Sequence, residues 1–562
     1  MKTILTHPQD TVLDYPECTM YGAVAMAARA FPDYIALDFM GKQTTYRQLM
    51  ERIDQTARGL AAQGIQAGDT VTICMPNCPQ AVYALYALNQ LGAVASLIHP
   101  LSSQKNITFY LDYSESDRII TLDLFYEKVC LARRECKKKI TILMSRLEEE
   151  LPGLTAVGYK LTKGRPFRHL PNEADTVLWK EILDQGSTAP EVTPAGYDPR
   201  RTTVLLYSGG TTGVPKGICL SDFNFNALGI QIRQGAGVEF GENMRFLSVM
   251  PVFHGFGLGI GIHMVLMNGL RSILVPQFTA DSYAKLLTTQ KPNFIAGVPT
   301  LYEALLKNEK LQKADLSHLR AVFSGGDSLP VELKRRADQF LQSHGAYIQI
   351  GEGYGLTECV TASCVTPEDR NKEGSIGLPL RDMTYAIVNP GTFDEMPRGV
   401  PGEIILTGPT MMLGYRNGEE PDTIRTGPDG RRWLFTGDMG HMDEEGFIYF
   451  KQRIKRMIVT SGYNVYPSEV EVVLSKHPDV DYCCVIGVRD SYKMRRIRAY
   501  VVPRKGVAAD EALTQRLKEH CKLYLDHYAR PKEYRYRDSL PKTLVGKVAF
   551  HTLEEEAQRE ES

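Results

Sequence analysis

Apolar positions along this chain switch between a period of two and a period near 3.6, which predicts a layered α/β protein. Residues 20–64 begin with a helix-like run, MYGAVAMAARAF, followed by a strand pair at 34–39 and 43–46 across the turn Met40-Gly41-Lys42. An amphipathic helix is expected over 46–64, stopped by Gly64. A strand at 70–74 follows, then a helix that Pro79 opens and Gly92 ends, then a buried strand at 93–98. Strand–helix–strand alternation of this kind marks a parallel sheet covered by helices. It resumes with strands expected at 246–250, 272–275, 294–297, 321–324 and 347–351, separated by helices at 282–290, 300–308 and 331–343. From about residue 384 short strands with turn signals predict an antiparallel region. After Arg453–Lys455 the texture becomes a smaller mixed segment with a helix at 508–528. The expectation is a large N-terminal domain of parallel and mixed sheets over 1–452, with a small antiparallel β region. A small α+β domain would follow over 453–562.

Composition narrows the class. A chain of 562 residues exceeds what one core holds, and 43% hydrophobic with 23% charged residues is ordinary for a soluble protein. The formal net charge of −1 gives no global field for nucleic acid or an anionic membrane. Eleven cysteines without a CxxC pair favour reduced thiols in a cytoplasmic protein over disulfides or zinc. The N-terminus reaches His7-Pro8 without the apolar core of a signal peptide. Residues 81–98 carry Asn89, Gln90 and Gly92, and residues 255–270 carry five glycines with His263 and Asn268. Both are expected as buried elements, not membrane helices. The basic and then acidic clusters of 127–150 read as a solvated helical face.

The chemistry begins at residues 206–217, LYSGGTTGVPKG. Between Ser208 and Gly217 stand four glycines, one serine, two threonines and a lysine. Glycines let a backbone approach a ligand, hydroxyls and N–H groups surround an anion, and a lysine adds a point charge for phosphate. A Ser/Gly-rich surface turn is the competing reading. The common P-loop is excluded, because Pro215 stands where that motif needs glycine. The later loops PVFHGFG, GVPT, SGGDSLP and GEGYGLTE follow expected strands and so converge with it beyond the sheet's carboxyl edge.

Five segments then fall in the order of the adenylate-forming (AMP-binding) enzyme superfamily: YSGGTTGVPKG, EGYGLTE, FTGDMG, RIKRMIVTSGYNVYPSEVE and LPKTLVGKV. The chain resembles that family from about residue 20 to 550, and is most similar to its fatty acyl-CoA ligases. The resemblance implies an acid–thiol ligase acting in two steps, with a carboxylate attacking the α-phosphate of ATP and coenzyme A thiol then displacing AMP. Mg2+, ATP and coenzyme A are the implied cofactors, and a medium- or long-chain fatty acid is the expected acid. The alternatives are an aryl- or other carboxylate-CoA ligase, a loader of a carrier protein, and a degenerate nucleotide-binding regulator. No nucleic-acid partner and no integral membrane segment are expected; a weak oligomer is left open.

By the same resemblance, the phosphates would be held by Ser208, Gly209, Gly210, Thr211, Thr212, Gly213 and Lys216. Glu358 would bind Mg2+ beside Thr357, while Asp438 and Arg453 would hold the ribose. Adenine would lie among Gly325, Gly326, Asp327, Glu352, Gly353, Tyr354 and Gly355. Lys547 would bridge the acyl carboxylate and α-phosphate; with Thr211, Lys216 and Glu358 it makes up the implied catalytic set. Lys455 would be the hinge, and Gly462 and Tyr463 would line the pantetheine passage.

His254, Gly255, Gly259, Val298, Gly326 and Gly353 would border the acyl pocket. The alternating glycines from Gly255 to Gly261 suit either an extended acyl chain or close helix packing, and Asp327 suits either a ligand contact or a turn cap. Three departures from the family pattern stand out: Gln452 and Arg456 near the hinge, and Lys493-Met494-Arg495-Arg496. With Arg498 the last is either a coenzyme A phosphate site or a solvated patch.

Overall fold

The computed structural model describes residues 13–162, 164, 175–208, 215–235, 239–418, 423–460, 463–490, 494–542 and 548–560. Two large sheets dominate it. The first has eight strands, and six of them run parallel in the order Thr202–Ser208, Val94–Leu97, Thr70–Cys74, Arg118–Leu122, Thr141–Ser145 and Thr176–Leu178. Lys216–Ser221 and Gly414–Tyr415 add an antiparallel edge. The second has nine strands, parallel from Ile350–Gly355 through Ala321–Gly325, Phe294–Gly297, Arg245–Ser248 and Arg271–Leu274 to Ile35–Phe39. A five-stranded antiparallel sheet built on Arg432–Met442 follows, as the turn signals after 384 predict. The last unit pairs Val480–Asp490, Met494–Pro503 and Glu533–Tyr536, packed with the helices Pro467–Ser475, Glu511–Tyr524 and Phe550–Glu560.

The two apolar stretches that imitate membrane spans become buried elements, the first a helix followed by the strand Val94–Leu97 and the second helical. Every residue of Pro79–Leu91 is buried, as is all of Phe256–Met264 beyond its first residue. Among the described residues no helix is long and apolar enough to cross a membrane. The second helix is π-helical and carries His263, fully buried between two polar partners. Its Nδ1 lies 3.0 Å from the Tyr86 hydroxyl and its Nε2 2.9 Å from Asn226 Oδ1. The amide oxygen can only accept, so Nε2 donates and Nδ1 accepts. Burial lowers the imidazole pKa to about 3. A neutral histidine in the fold and an ordinary one in the unfolded chain mean stability is lost as pH falls from about 6.5 toward 3. His263→Leu strands two buried polar groups and should cost about 3 kcal/mol. Thermal melts across that pH window should show a lower midpoint and a shallower acid slope; an unchanged slope would contradict the neutral assignment.

Three expectations are corrected. The strand expected at 347–351 lies at Ile350–Gly355, so the glycine-rich GEGYG segment is itself sheet. It fits there because its neighbours leave no room for side chains: a Cβ on Gly355 would lie 1.4 Å from the Thr361 carbonyl oxygen. The helix expected at 508–528 is shorter, Glu511–Tyr524, begun by Asp510 accepting from Leu513 N at 2.8 Å. The charged segment 127–150 is no uniform solvated helix. It contains the core strand Thr141–Ser145, and Glu150 is buried against Lys42 Nζ at 2.8 Å.

Candidate active site

The strand Thr202–Ser208 ends where the glycine loop begins, and the chain returns as Lys216–Ser221 with Lys216 opposite Ser208. The expected phosphate ligands Gly209, Gly210, Thr211, Thr212 and Gly213 lie outside the described residues. Lys216 is described, and its ammonium sits over the Tyr415 ring, 5.2 Å from the centroid. The Tyr415 hydroxyl donates to Glu358 Oε1 at 3.1 Å. Tyr415 reaches this place because Gly414–Tyr415 pairs antiparallel with Ile218 and Cys219. Lys216 and Glu358, remote in sequence, therefore meet on one tyrosine that the sequence reading missed. Nothing in its local composition distinguishes Tyr415 from an ordinary strand aromatic.

Glu358 lies on the short helical turn Thr357–Cys359. The next residue, Val360, has φ 64° and ψ −63°, and Thr361 N donates to the Cys359 carbonyl at 2.7 Å. This is the rare positive-φ γ-turn, a strained state for a β-branched residue. The Val360 carbonyl is wedged against Gly255, where an added Cβ would lie 1.7 Å from its oxygen. Among the described residues no hydrogen bond reaches Glu358 Oε2. A half-buried carboxylate with one free oxygen suits magnesium, which takes one or two carboxylates and completes its shell with phosphate and water.

A second cluster forms at the antiparallel sheet. Asp438 is 2% exposed and stands in register opposite Arg453. Its Oδ2 accepts from the Tyr354 hydroxyl at 2.7 Å, and Arg453 Nε lies 3.5 Å from Oδ1. Burial, and then the Asp438 charge, push the Tyr354 hydroxyl pKa far up, so it remains a donor. Gly325 and Gly353 face each other across the parallel pair that leads there, next to Ser324 and Glu352. Burial, with a smaller push from Asp338, raises the Glu352 pKa to about 7; Lys334 opposes the rise. Gly326 turns at φ 78°, and the exposed Asp327 accepts from the adjoining Ser328 N at 2.9 Å.

The sequence profile of the AMP-binding enzyme family matches residues 24–416, and that of the AMP-binding enzyme C-terminal domain matches 469–547. The chain belongs to the AMP-binding enzymes. A long-chain-fatty-acid–CoA ligase of Bacillus subtilis (strain 168) is 34% identical over 556 residues, covering 97% of this chain and 95% of the relative. One from Yersinia pestis is 33% identical, covering 94% of this chain and 93% of its own. The crystal structure of the anthranilate CoA ligase AuaEII with anthranoyl-AMP shares the fold, with TM-score 0.82 at 23% identity over 97% of this chain and 98% of that one.

The remaining expected residues divide. His254 is half-buried at the start of the π-helix, its Nδ1 accepting from Phe256 N at 3.2 Å. Val298 precedes the helix Pro299–Lys307 at the end of Phe294–Gly297. The alternating glycines resolve toward packing. Besides Gly255, a Cβ on Gly257 would lie 2.1 Å from Pro251 O, and one on Gly259 2.8 Å from Leu228 Cδ2. Those Cβ positions are occupied by the protein itself.

Lys455 is exposed on the turn Ile454–Arg456, and Tyr463 pairs with Thr460. Gly462 and Lys547 lie outside the described residues, as does Lys493 of the basic stretch. Arg498 is no surface patch: it is 1% exposed, with Nε 2.8 Å from Glu533 and Nη1 3.0 Å from Glu560. Arg456 is an ion-pair partner of Glu471 and lies over the Phe550 ring at 4.9 Å. Gln452 is 1% exposed, and neither amide atom has a hydrogen-bond partner among the described residues.

Proposed function

We propose that this protein is an ATP-dependent acyl-CoA ligase of the cytoplasm. It would join a medium- or long-chain fatty acid to coenzyme A through an acyl-adenylate, releasing pyrophosphate and AMP. The observation that carries the reading is the meeting of Lys216 and Glu358 on Tyr415, with the Asp438–Tyr354–Arg453 cluster as a second polar site. One set offers a cation and a carboxylate for the phosphate end of a nucleotide, the other an acceptor and a cation for its ribose. The printed activity of the Bacillus relative supports a fatty acid as the acid.

A carboxylate is a weak nucleophile and ATP a guarded electrophile, so the first step depends on position and charge. Lys216 and the glycine loop would hold the β- and γ-phosphates, keeping the departing pyrophosphate in line. Mg2+, held by Glu358, would neutralise charge between the phosphates. Asp438 would accept from the ribose hydroxyls, with Arg453 beside it and Tyr354 fixing the carboxylate. Lys547 would supply the cation between the acid and the α-phosphate. Rotation of the C-terminal domain at Lys455 would then bring Gly462 and Tyr463 to the pantetheine arm for the thioester step.

AMP release with ATP and Mg2+ tests this, over acids of about four to eighteen carbons and over aryl and hydroxy acids, with and without coenzyme A. Release that needs both an acid and coenzyme A, fastest with medium or long chains, is expected. Turnover of aryl acids alone would transfer the reading to an aryl-CoA ligase. ATP binding without turnover of any acid would reduce the chain to a nucleotide-binding protein.

A further inference from the structure

Opposite charges placed close together in a partly desolvated site tend to collapse onto each other. Lys216 and Glu358 both touch Tyr415, yet among the described residues no ion pair joins them. What stands between them is Tyr415. Its ring face receives the Lys216 ammonium, and its hydroxyl donates to Glu358 Oε1. We propose that Tyr415 is a positioning residue that holds Lys216 and Glu358 apart and aims each at its own part of the bound nucleotide. This rests on the reading of Glu358 as the magnesium carboxylate and of Lys216 as a phosphate ligand.

Three observations make Tyr415 suited to that task. Its backbone is fixed on both sides, by the Tyr415–Ile218 register and by Arg416 N donating to Gly217 O at 2.8 Å. Its side chain is therefore set by the same strand that carries Lys216. The Glu358 backbone is tied to the same segment, because Met412 N donates to the Glu358 carbonyl at 2.7 Å. Third, Tyr415 is only 8% exposed, and a phenol facing a carboxylate can only donate. The donation occupies Oε1 and leaves Oε2 for the metal, the arrangement by which an outer partner orients a metal ligand. The cation–π contact is a single modest electrostatic attraction, so it can yield when phosphate arrives.

The two halves of the role separate by substitution. Tyr415→Phe keeps the ring and the packing but removes the hydroxyl; Tyr415→Leu removes both contacts. ATP binding to the full-length chain, followed by calorimetry in a Mg2+ titration, reads them without turnover. Tyr415→Phe should raise the Mg2+ concentration for half-maximal effect about tenfold, the usual cost of losing an outer-shell partner. ATP binding without Mg2+ should stay within about twofold. Tyr415→Leu should raise the Mg2+ requirement further, because Lys216 is then free to pair with Glu358. Adding Lys216→Met to Tyr415→Leu should bring that requirement back toward the Tyr415→Phe value, a rescue that a packing role does not produce.

Glu358→Gln serves as the reference. If it raises the Mg2+ requirement while Tyr415→Phe does not, or if Lys216→Met gives no rescue, the positioning role is overturned and the magnesium reading stands. If Glu358→Gln leaves the Mg2+ requirement unchanged, the magnesium reading itself falls.

Discussion

Replacing Lys547 by alanine is expected to cut acyl-adenylate formation by about 10²- to 10³-fold, the usual loss when one donor aimed at transition-state charge is removed. Thioester formation from supplied acyl-adenylate and coenzyme A should stay within a few-fold. The asymmetry follows from the two steps. In the first, negative charge builds between the attacking carboxylate and the α-phosphate, and a cation there stabilises the transition state more than the ground state. In the second, the adenylate bond is already made and a thiol attacks a carbonyl. The ends of the segment that carries Lys547 are fixed in the small domain: Lys542 and Val548 form an antiparallel bridge, and Ala549 N donates to Pro541 O at 2.8 Å. Substitution of an adjoining side chain therefore has little reason to disturb that fold. Pyrophosphate exchange reports the first step and acyl-CoA formation the second; equal losses in both would remove the role assigned to Lys547.

The second large effect is expected at Gly255. Gly255→Ala would set a methyl group 1.7 Å from the Val360 carbonyl oxygen, closer than any non-bonded contact allows. Val360 is fully buried and already strained in its γ-turn, so neither side can yield cheaply. The turn would have to move, carrying Glu358 two residues away. A cost of about 3 kcal/mol in stability is expected from the overpacking. A displacement of the order of 1 Å at Glu358 adds an activity loss of about 10²-fold. Gly261→Ala is the matched control, since its Cβ would lie 3.5 Å from Ser248 in ordinary contact. Melting midpoints and AMP release rates of the two variants decide the matter. If both behave alike, the Gly255–Val360 contact does not hold the Glu358 turn.

Much of this protein was legible from its sequence because the relevant signals are local. A parallel strand buried on both faces reads as a near-continuous run of apolar and β-branched residues, so Thr70–Cys74 and Phe294–Gly297 stand at their expected places. Proline at a helix start and glycine at its end bracket Pro79–Leu91 for the same reason. The motifs themselves are short stretches whose backbone and side chains act together, and they mark the family before any coordinate is known. Arg453 and Asp438 likewise pair across adjoining strands whose order the chain already suggests.

What the sequence could not supply depends on distant segments meeting. GEGYG has the composition of a loop, and only its two flanking strands turn it into sheet. Whether the glycines from Gly255 to Gly259 leave a channel or admit a neighbour depends on Val360, Pro251 and Leu228, two of them far along the chain. Arg498 reads as part of a basic patch until Glu533 and Glu560 close over it. Tyr415 carries no motif at all; it matters because an antiparallel edge sets it between Lys216 and Glu358. The sequence by itself determined the order of elements, the family and the kinds of side chain brought to a nucleotide. Tertiary structure alone decided which of those side chains touch and what keeps opposite charges apart, because contact between remote residues is a property of packing and not of local pattern.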